Sequence, residues 1–388
     1  MSIHQDKKVS ERNTLTKYNR PIINKALKVK KFFGKYVEIP TPTHHLNIND
    51  LNIVIKDESC RMEQKSFKGL GCTYSLSKEI IRKYNLNPEL TFEELINISS
   101  RLPNKFTVST ASDGNHGAGL AWASDKLGFK SIIWLPNNVK QSRIDKVLQF
   151  GATVRVTDVN YDATVDIAKK VSIEKNYLLI QDTSWEGYEK IPRLIMDGYT
   201  LIMHELSQLD INITHIVLQV GVGSFAASLT EFIREQYDDS IILICIEPNG
   251  AACMYDSIKY GIKKDFDCSG CISAGLDCGK LSTIAWKILR NKIDYVVKVN
   301  DTVVEDGIKI LNQNKILSGE SGSCVGVGFL KNLNKKQKEV LKFNELSSVL
   351  IFNTEGITDE KNYNSILNKN NLLSNRSIEI YKSPFSVK

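Results

Sequence analysis

The chain is predicted to be an α/β protein of two lobes, each an open parallel sheet with helices on both faces. Three observations predict this. Short, continuously apolar runs rich in β-branched residues alternate with helical patterns, as parallel strands buried on both sides do. At 388 residues the chain exceeds the roughly 250–300 residues at which a single core stops growing. Its four most distinctive stretches each follow an apolar run, and open α/β sheets collect ligands at the carboxyl ends of their strands.

The elements follow in order. Pro40, Pro42 and the His44–His45 pair read as a loop feeding a first strand. INDLNIVIKDES, 48–59, alternates and is β-branched, so it is the strand. GLGCTYSLSKEIIRKYN, from Gly69, opens with glycines and becomes a helix with an apolar stripe. FTVST (106–110) precedes a helix from Asn115 to Leu127, and SIIWLP (131–136) one at 140–149. TVRVTD (153–158) precedes a helix at 160–175, and YLLIQD (177–182) a long one at 190–209. HIVLQVG (215–221) and IILICIEP (241–248) continue the rhythm, and low complexity is confined to the Asn- and Lys-rich stretch near 363–376.

Composition narrows the class. The 42% hydrophobic and 24% charged fractions are those of an ordinary globular protein. No apolar run approaches the roughly 20 residues of a membrane span, so no membrane partner is expected. The leader, the first 35 residues, carries Lys7, Lys8, Arg12, Lys17, Arg20, Lys25, Lys28, Lys30, Lys31 and Lys35 against Asp6 and Glu11, with no long apolar segment behind it, which is not a signal peptide. A net charge of +7 permits a nucleic-acid arm, but the lysines stay scattered and no recognition module accompanies them. A solvated basic surface, with no nucleic-acid partner, is the reading. Eight cysteines without a secretion signal point to a reducing cytoplasm. Cys268 and Cys271 form one CxxC pair; with Cys253 and Cys278 the spacing is irregular and no second pair follows, so no metal is expected. Neither HExxH nor GxxxxGK[ST] occurs, which excludes the metalloprotease and P-loop readings.

Within KDESCRMEQKSFKGLGCTYSL, Lys68 sits at a strand-to-helix junction, before N–H groups suited to an anion. An amine there can hold an aldehyde cofactor covalently. Gly221-Val222-Gly223-Ser224 lies between a strand and a helix and makes a nest suited to one phosphate, or simply a tight turn. STASDGNHG, 109–117, offers N–H groups for a carboxylate, and Asn115 for a cofactor's phenolic oxygen; Asp113 or Asn115 could equally cap the helix. Asp182 ends YLLIQD beside Trp185 and Tyr188, where a raised pKa suits a general base. Glu320-Ser321-Gly322-Ser323 and Thr354-Glu355-Gly356 also follow or open elements, and the Thr354 hydroxyl could meet a pyridine nitrogen. Four loops at strand ends are most simply explained by one pocket.

SFKGLG, TASDGNHGAGLAWA, QDTSWEGYEKIP, GVGS, IEPNGAAC, SAGLDCG, GESGS and FNTEGITD, in that order, resemble the diaminopropionate ammonia-lyases, from about residue 40 to 365. The resemblance implies the pyridoxal 5'-phosphate fold type II, like tryptophan synthase β, with a large cofactor domain (1–72 and 190–388) and a small mobile one (73–189). It implies that Lys68 holds the cofactor aldehyde, Asn115 its O3′, Gly221, Val222, Gly223 and Ser224 its phosphate, and that Thr354 faces the ring nitrogen. The reaction implied is a carbon–nitrogen lyase's α,β-elimination of D- and L-2,3-diaminopropionate to pyruvate and two ammonia. Two enantiomers demand two bases, Asp113 for the D isomer and Asp182 for the L. Cys253 and Cys278, in the matching segments, would either pair near the site entrance as a redox gate or be two buried small apolar residues. Cys72 and Ala227 stand where the family usually or often has glycine. A homodimer is the usual expectation. The competing readings are a serine/threonine dehydratase and a binding protein that kept the fold without the cofactor.

Overall fold

The computed structural model describes residues 21–209, 211–237, 239–268, 270–369 and 376–386. The leader's Lys7, Lys8, Arg12, Lys17 and Arg20 lie outside them, as does part of the Asn- and Lys-rich stretch. Helix α1 (Pro21–Phe33) buries Ile22, Ala26, Val29 and Phe33, one face at helical spacing, and leaves Lys28, Lys30 and Lys31 in water.

Asn49 and Asp50 both hold positive φ, +54° and +63°, and turn the chain between β1 (Thr43–Ile48) and β2 (Leu51–Asp57). Two successive left-handed residues make the turn whose twist matches a hairpin. His44 and His45 therefore sit in a strand, where a loop was expected.

The expected alternation holds through the next segment. β3 (Val108–Ala111), β4 (Ser131–Leu135), β5 (Thr153–Val156) and β6 (Leu178–Leu179) form a four-stranded parallel sheet in the order β5-β4-β3-β6. β6 is shorter than YLLIQD suggests because Gln181 turns its side chain back. Its amide pairs with the N–H and C=O of Ala111 at 2.9 and 3.1 Å, closing the ladder and freeing the backbone to carry Asp182 away.

β7 (His215–Gln219), β8 (Ile242–Pro248), β9 (Tyr295–Val299), β10 (Ser348–Asn353) and β11 (Ile378–Lys382) join the hairpin in a seven-stranded sheet, order β1-β2-β10-β7-β8-β9-β11. Its interior pairs are parallel and both edge strands run antiparallel, so this sheet is mixed where a parallel one was expected.

The helices from the hairpin to β8 are α2 (Lys68–Lys83), α3 (Phe92–Ser99), α4 (Asn115–Lys126), α5 (Gln141–Leu148), α6 (Tyr161–Glu174), α7 (Lys190–Leu206) and α8 (Ser224–Tyr237). A buried ion cluster fixes the loop leading into α2. Arg61 pairs with Glu58 (2.8 Å) and Glu205 of α7 (2.7 Å), and Lys56 of β2 with Glu205 (2.6 Å). Two cations and two anions balance within it, and Thr41 fills further hydrogen bonds. Balance of this kind is what lets such charges leave water.

Candidate active site

Lys68 is the first residue of α2, so its amine projects from a helix start toward the carboxyl ends of the strands. Around it lies a cleft of about 660 Å³ of empty space, part of it open to solvent. Lys68, Asp113, Asn115, Asp182, Gly221 to Ser224 and Thr354 all line it. The residues expected to hold the cofactor or to act as bases thus converge on one place, while Glu320 and Cys253 lie outside it. Trp185 and Tyr188 do not line it. They stack on each other at 4.3 Å, and the Tyr188 hydroxyl donates to Leu179 O (2.7 Å) and accepts from Gln181 N, clamping the turn that carries Asp182.

The Lys68 ammonium pairs with Asp182 Oδ2. Burial works against that charge and is outweighed chiefly by Asp182, so the amine stays protonated well above the ordinary lysine range. Asp182 is the mirror image. Burial pushes it up, but the Lys68 ammonium, by charge and by hydrogen bond, outweighs it and the pKa comes down to about 2. The expectation of a raised pKa is therefore corrected: a cation reaches Asp182 that the local sequence does not show.

His116 backs this pair. Its Nε2–H donates to Ile180 O (2.7 Å), which leaves Nδ1 with the lone pair in the neutral ring. Burial favours that neutral form. Nδ1 stands 3.7 Å from Asp182 Oδ2 and 3.2 Å from Cys72 Sγ. Burial and the neighbouring Asp182 keep Cys72 a thiol, so it donates to His116.

Asp113 lies at the start of α4 and is 22% exposed. Burial raises its pKa against the pull of Arg143 and Lys68. Arg143 of α5 reaches Asp113 O at 3.2 Å and Oδ2 at 3.5 Å, and its other arm holds Thr358 (3.0 Å). Asn115 Nδ2 donates to Glu355 Oε2, and Asn115 Oδ1 accepts from Lys146 of α5 at 2.8 Å. Arg143, Lys146, His116, Tyr161 and Gln219 escaped the sequence reading. A basic pair three apart on a helix marks one face, but that pattern alone is the ordinary mark of a solvated helix.

The Thr354 hydroxyl donates to Ser321 O (3.1 Å) and accepts from Gln219 Nε2 (3.3 Å). Its single proton serves one acceptor at a time. Ser224 Oγ donates to Asp182 O, which leaves the N–H groups of the glycine loop and the first turn of α8 as the anion-facing donors. Cys253 and Cys278 are free thiols, like the other six, and Cys253 faces Glu247 at 3.6 Å.

An amine at a helix start, a glycine nest at a second helix start and a carboxylate on the amine define a pyridoxal-phosphate site. The family model described as "Pyridoxal-phosphate dependent enzyme" matches residues 35–352. A diaminopropionate ammonia-lyase of Escherichia coli K12 is 37% identical over 335 residues, 81% of this chain and 82% of its own length. One from Salmonella typhimurium is 35% identical over 355 residues, 84% of this chain and 87% of its own. The crystal structure of the E. coli lyase in complex with D-serine superposes with a TM-score of 0.83 at 33% identity, covering 92% of this chain and 95% of its own. The chain belongs to the diaminopropionate ammonia-lyases.

The residues present fit pyridoxal phosphate on their own geometry. Asn115 Nδ2 carries two hydrogens and, among the described residues, places one on Glu355, which leaves the second for an acceptor in the cleft. A Cβ on Gly221 would press on Gly275 O at 3.2 Å, so only glycine leaves this wall of the cradle undisturbed.

Proposed function

We propose that the chain eliminates ammonia from D- and L-2,3-diaminopropionate, giving pyruvate and two ammonia, with Lys68 holding the cofactor. One observation carries this: the Lys68 amine lies against Asp182 in the same cleft that Asp113 lines.

Bound there, pyridoxal phosphate supplies the electron withdrawal that acidifies the substrate Cα–H. Lys68 would hold its aldehyde, Asn115 its ring oxygen, Gly221 to Ser224 its phosphate, and Thr354 would face its ring nitrogen. Asp182 takes the Cα proton of the L isomer and Asp113 that of the D isomer. With the Lys68 ammonium withdrawn from Asp182, the largest influence holding that carboxyl down is gone, and burial raises it toward the range a base needs. Arg143 holds Asp113 by backbone and side chain, so the second base is positioned from α5.

Charge supports the choice of substrate. The outer cleft, which shares Asp113 and Tyr161 with the inner one, is lined by Asp162, Asp277, Asp301, Glu320 and Asp359 against Lys140 and Arg143. Such a field favours a substrate with a cationic side chain over serine or threonine.

The two sheets suggest the division into a cofactor domain (1–72 and 190–388) and a smaller mobile one (73–189). Free thiols throughout suit a cytoplasmic enzyme, and no helix among the described residues is long and apolar enough to cross a membrane. A homodimer is the assembly proposed, checked by mass in solution.

The test is direct. Purified protein loaded with pyridoxal phosphate should form pyruvate from each enantiomer of diaminopropionate and much less from serine. Serine turnover well above diaminopropionate would replace this reading with a dehydratase.

A further inference from the structure

We propose that Lys146 is a positioning residue for the cofactor, locking the Asn115 amide with its Nδ2 hydrogens facing the cleft. This rests on Asn115 as the partner of the cofactor's ring oxygen.

A side-chain amide can sit two ways, and turning it over exchanges donor for acceptor. Lys146 Nζ offers donors only and meets Oδ1 at 2.8 Å. The Glu355 carboxylate offers acceptors only and meets Nδ2. Turning Asn115 over would set N–H against ammonium and oxygen against carboxylate, so the two neighbours together permit one orientation. Glu355 is in turn held from behind, its Oε1 accepting from Ser321 N at 3.1 Å. The result is a chain of polar contacts, Lys146 to Asn115 to Glu355 to Ser321, that crosses from α5 through the loop after β10 to the turn before the helix Cys324–Lys331. Asn115 keeps one hydrogen for the ring oxygen, already aimed.

The same cation makes the lock sensitive to alkali. Burial lowers the Lys146 pKa to about 8, with Glu355 and Asp113 favouring its charge and Arg143 and Lys65 opposing it. Above that range the amine loses its charge and its hold on Oδ1 weakens, so cofactor affinity falls as pH rises through it. Arginine at this position keeps its charge there.

The experiment measures the equilibrium affinity for pyridoxal phosphate, and the pH midpoint of the bound cofactor's absorption change. The proteins are wild type, Lys146→Met, Lys146→Arg, Asn115→Ala and the Lys146→Met/Asn115→Ala double variant. Lys146→Met should weaken affinity about tenfold, the worth of one charge-assisted hydrogen bond, and move the midpoint. Lys146→Arg should bind better than Lys146→Met and lack the loss near pH 8. In the Asn115→Ala background Lys146→Met should add nothing, because it acts through Asn115. An unchanged affinity and midpoint in Lys146→Met, or the same tenfold loss without Asn115, overturns the proposal. Lys146→Gln takes its place if Lys146→Met fails to fold. Borohydride fixation of the cofactor on Lys68 in the wild type tests the site itself, so the two failures are distinguishable.

Discussion

Lys68 and Asp182 form an ion pair across 114 residues of chain, the amine from the start of α2 and the carboxylate from the end of β6. On the function proposed, the pair joins the group that would hold the cofactor to the group that would take a proton. While it persists Asp182 is held ionised by a cation and would be a poor base. Engaging Lys68 elsewhere would, on the function proposed, free Asp182, so activation of the base would be tied to use of the lysine.

Asp182→Asn should therefore cut kcat/KM for the L isomer by about 10²- to 10⁴-fold, the usual worth of a positioned base, and the D isomer far less. Asp113→Asn should show the reverse preference. Steady-state kinetics on separated enantiomers decide it. An equal loss on both isomers in either variant would leave the two-base assignment without support.

The thiols give a second check. Cys60 is exposed, Cys268 and Cys271 are partly so, and Cys72, Cys245, Cys253, Cys278 and Cys324 are buried. A thiol reagent applied to folded protein without reductant should label Cys60 first and Cys268 and Cys271 more slowly. The buried five should react only after unfolding, for eight in all. A total two short, with Cys253 and Cys278 protected, would show them joined as a gate.

Much of this was legible before any coordinates. Alternation of apolar runs with helical patterns was enough for the α/β architecture, and Lys68, Asp113, Asn115, Asp182, the glycine loop and Thr354 stood out because each sits in a locally unusual stretch. Contacts that depend on distant partners stayed hidden. The sign of the Asp182 shift is one, because its cation arrives from the start of α2, 114 residues away in the chain. Arg143 and Lys146 are others, since basic residues on a short helix normally face water. The hairpin is hidden for a different reason: Asn49–Asp50 carries a turn signal, but the alternation of INDLNIVIKDES runs through it as one strand.

Glu247 offers a prediction about stability and pH. It is fully buried in β8, and burial raises its pKa to about 8 against hydrogen bonds from Met254 N, Tyr255 N and Cys253. The folded chain thus keeps a proton there that the unfolded chain gives up near 4.5. Between those values stability falls with rising pH, by up to about 1.4 kcal/mol per unit. Glu247→Gln removes the titration but sets an amide donor against a backbone N–H, at a cost of about 1–3 kcal/mol. Denaturant melts should show wild type ahead of Glu247→Gln near pH 5, with the gap narrowing toward pH 8. A gap constant across that range would mean the carboxyl does not titrate there.

The glycine loop can be tested by one methyl group. Gly223 holds φ at +92°, which L side chains rarely adopt, and a Cβ there would lie 2.9 Å from the Cβ of Ala285 on the helix Thr283–Lys292. Gly223→Ala must therefore shift the loop or strain it, at a cost of about 1–2 kcal/mol in backbone conformation alone. The N–H groups proposed to cradle the phosphate move with the loop, so pyridoxal phosphate affinity should fall about tenfold or more. Ser224→Ala is the matched control. It removes a hydroxyl that donates to Asp182 O and leaves the N–H donors where they are, so its effect on affinity should be smaller. Titrating both variants with the cofactor, and melting the unloaded proteins beside them, separates lost affinity from lost fold. If Gly223→Ala bound the cofactor as wild type does, the loop would be a turn and the phosphate would belong elsewhere.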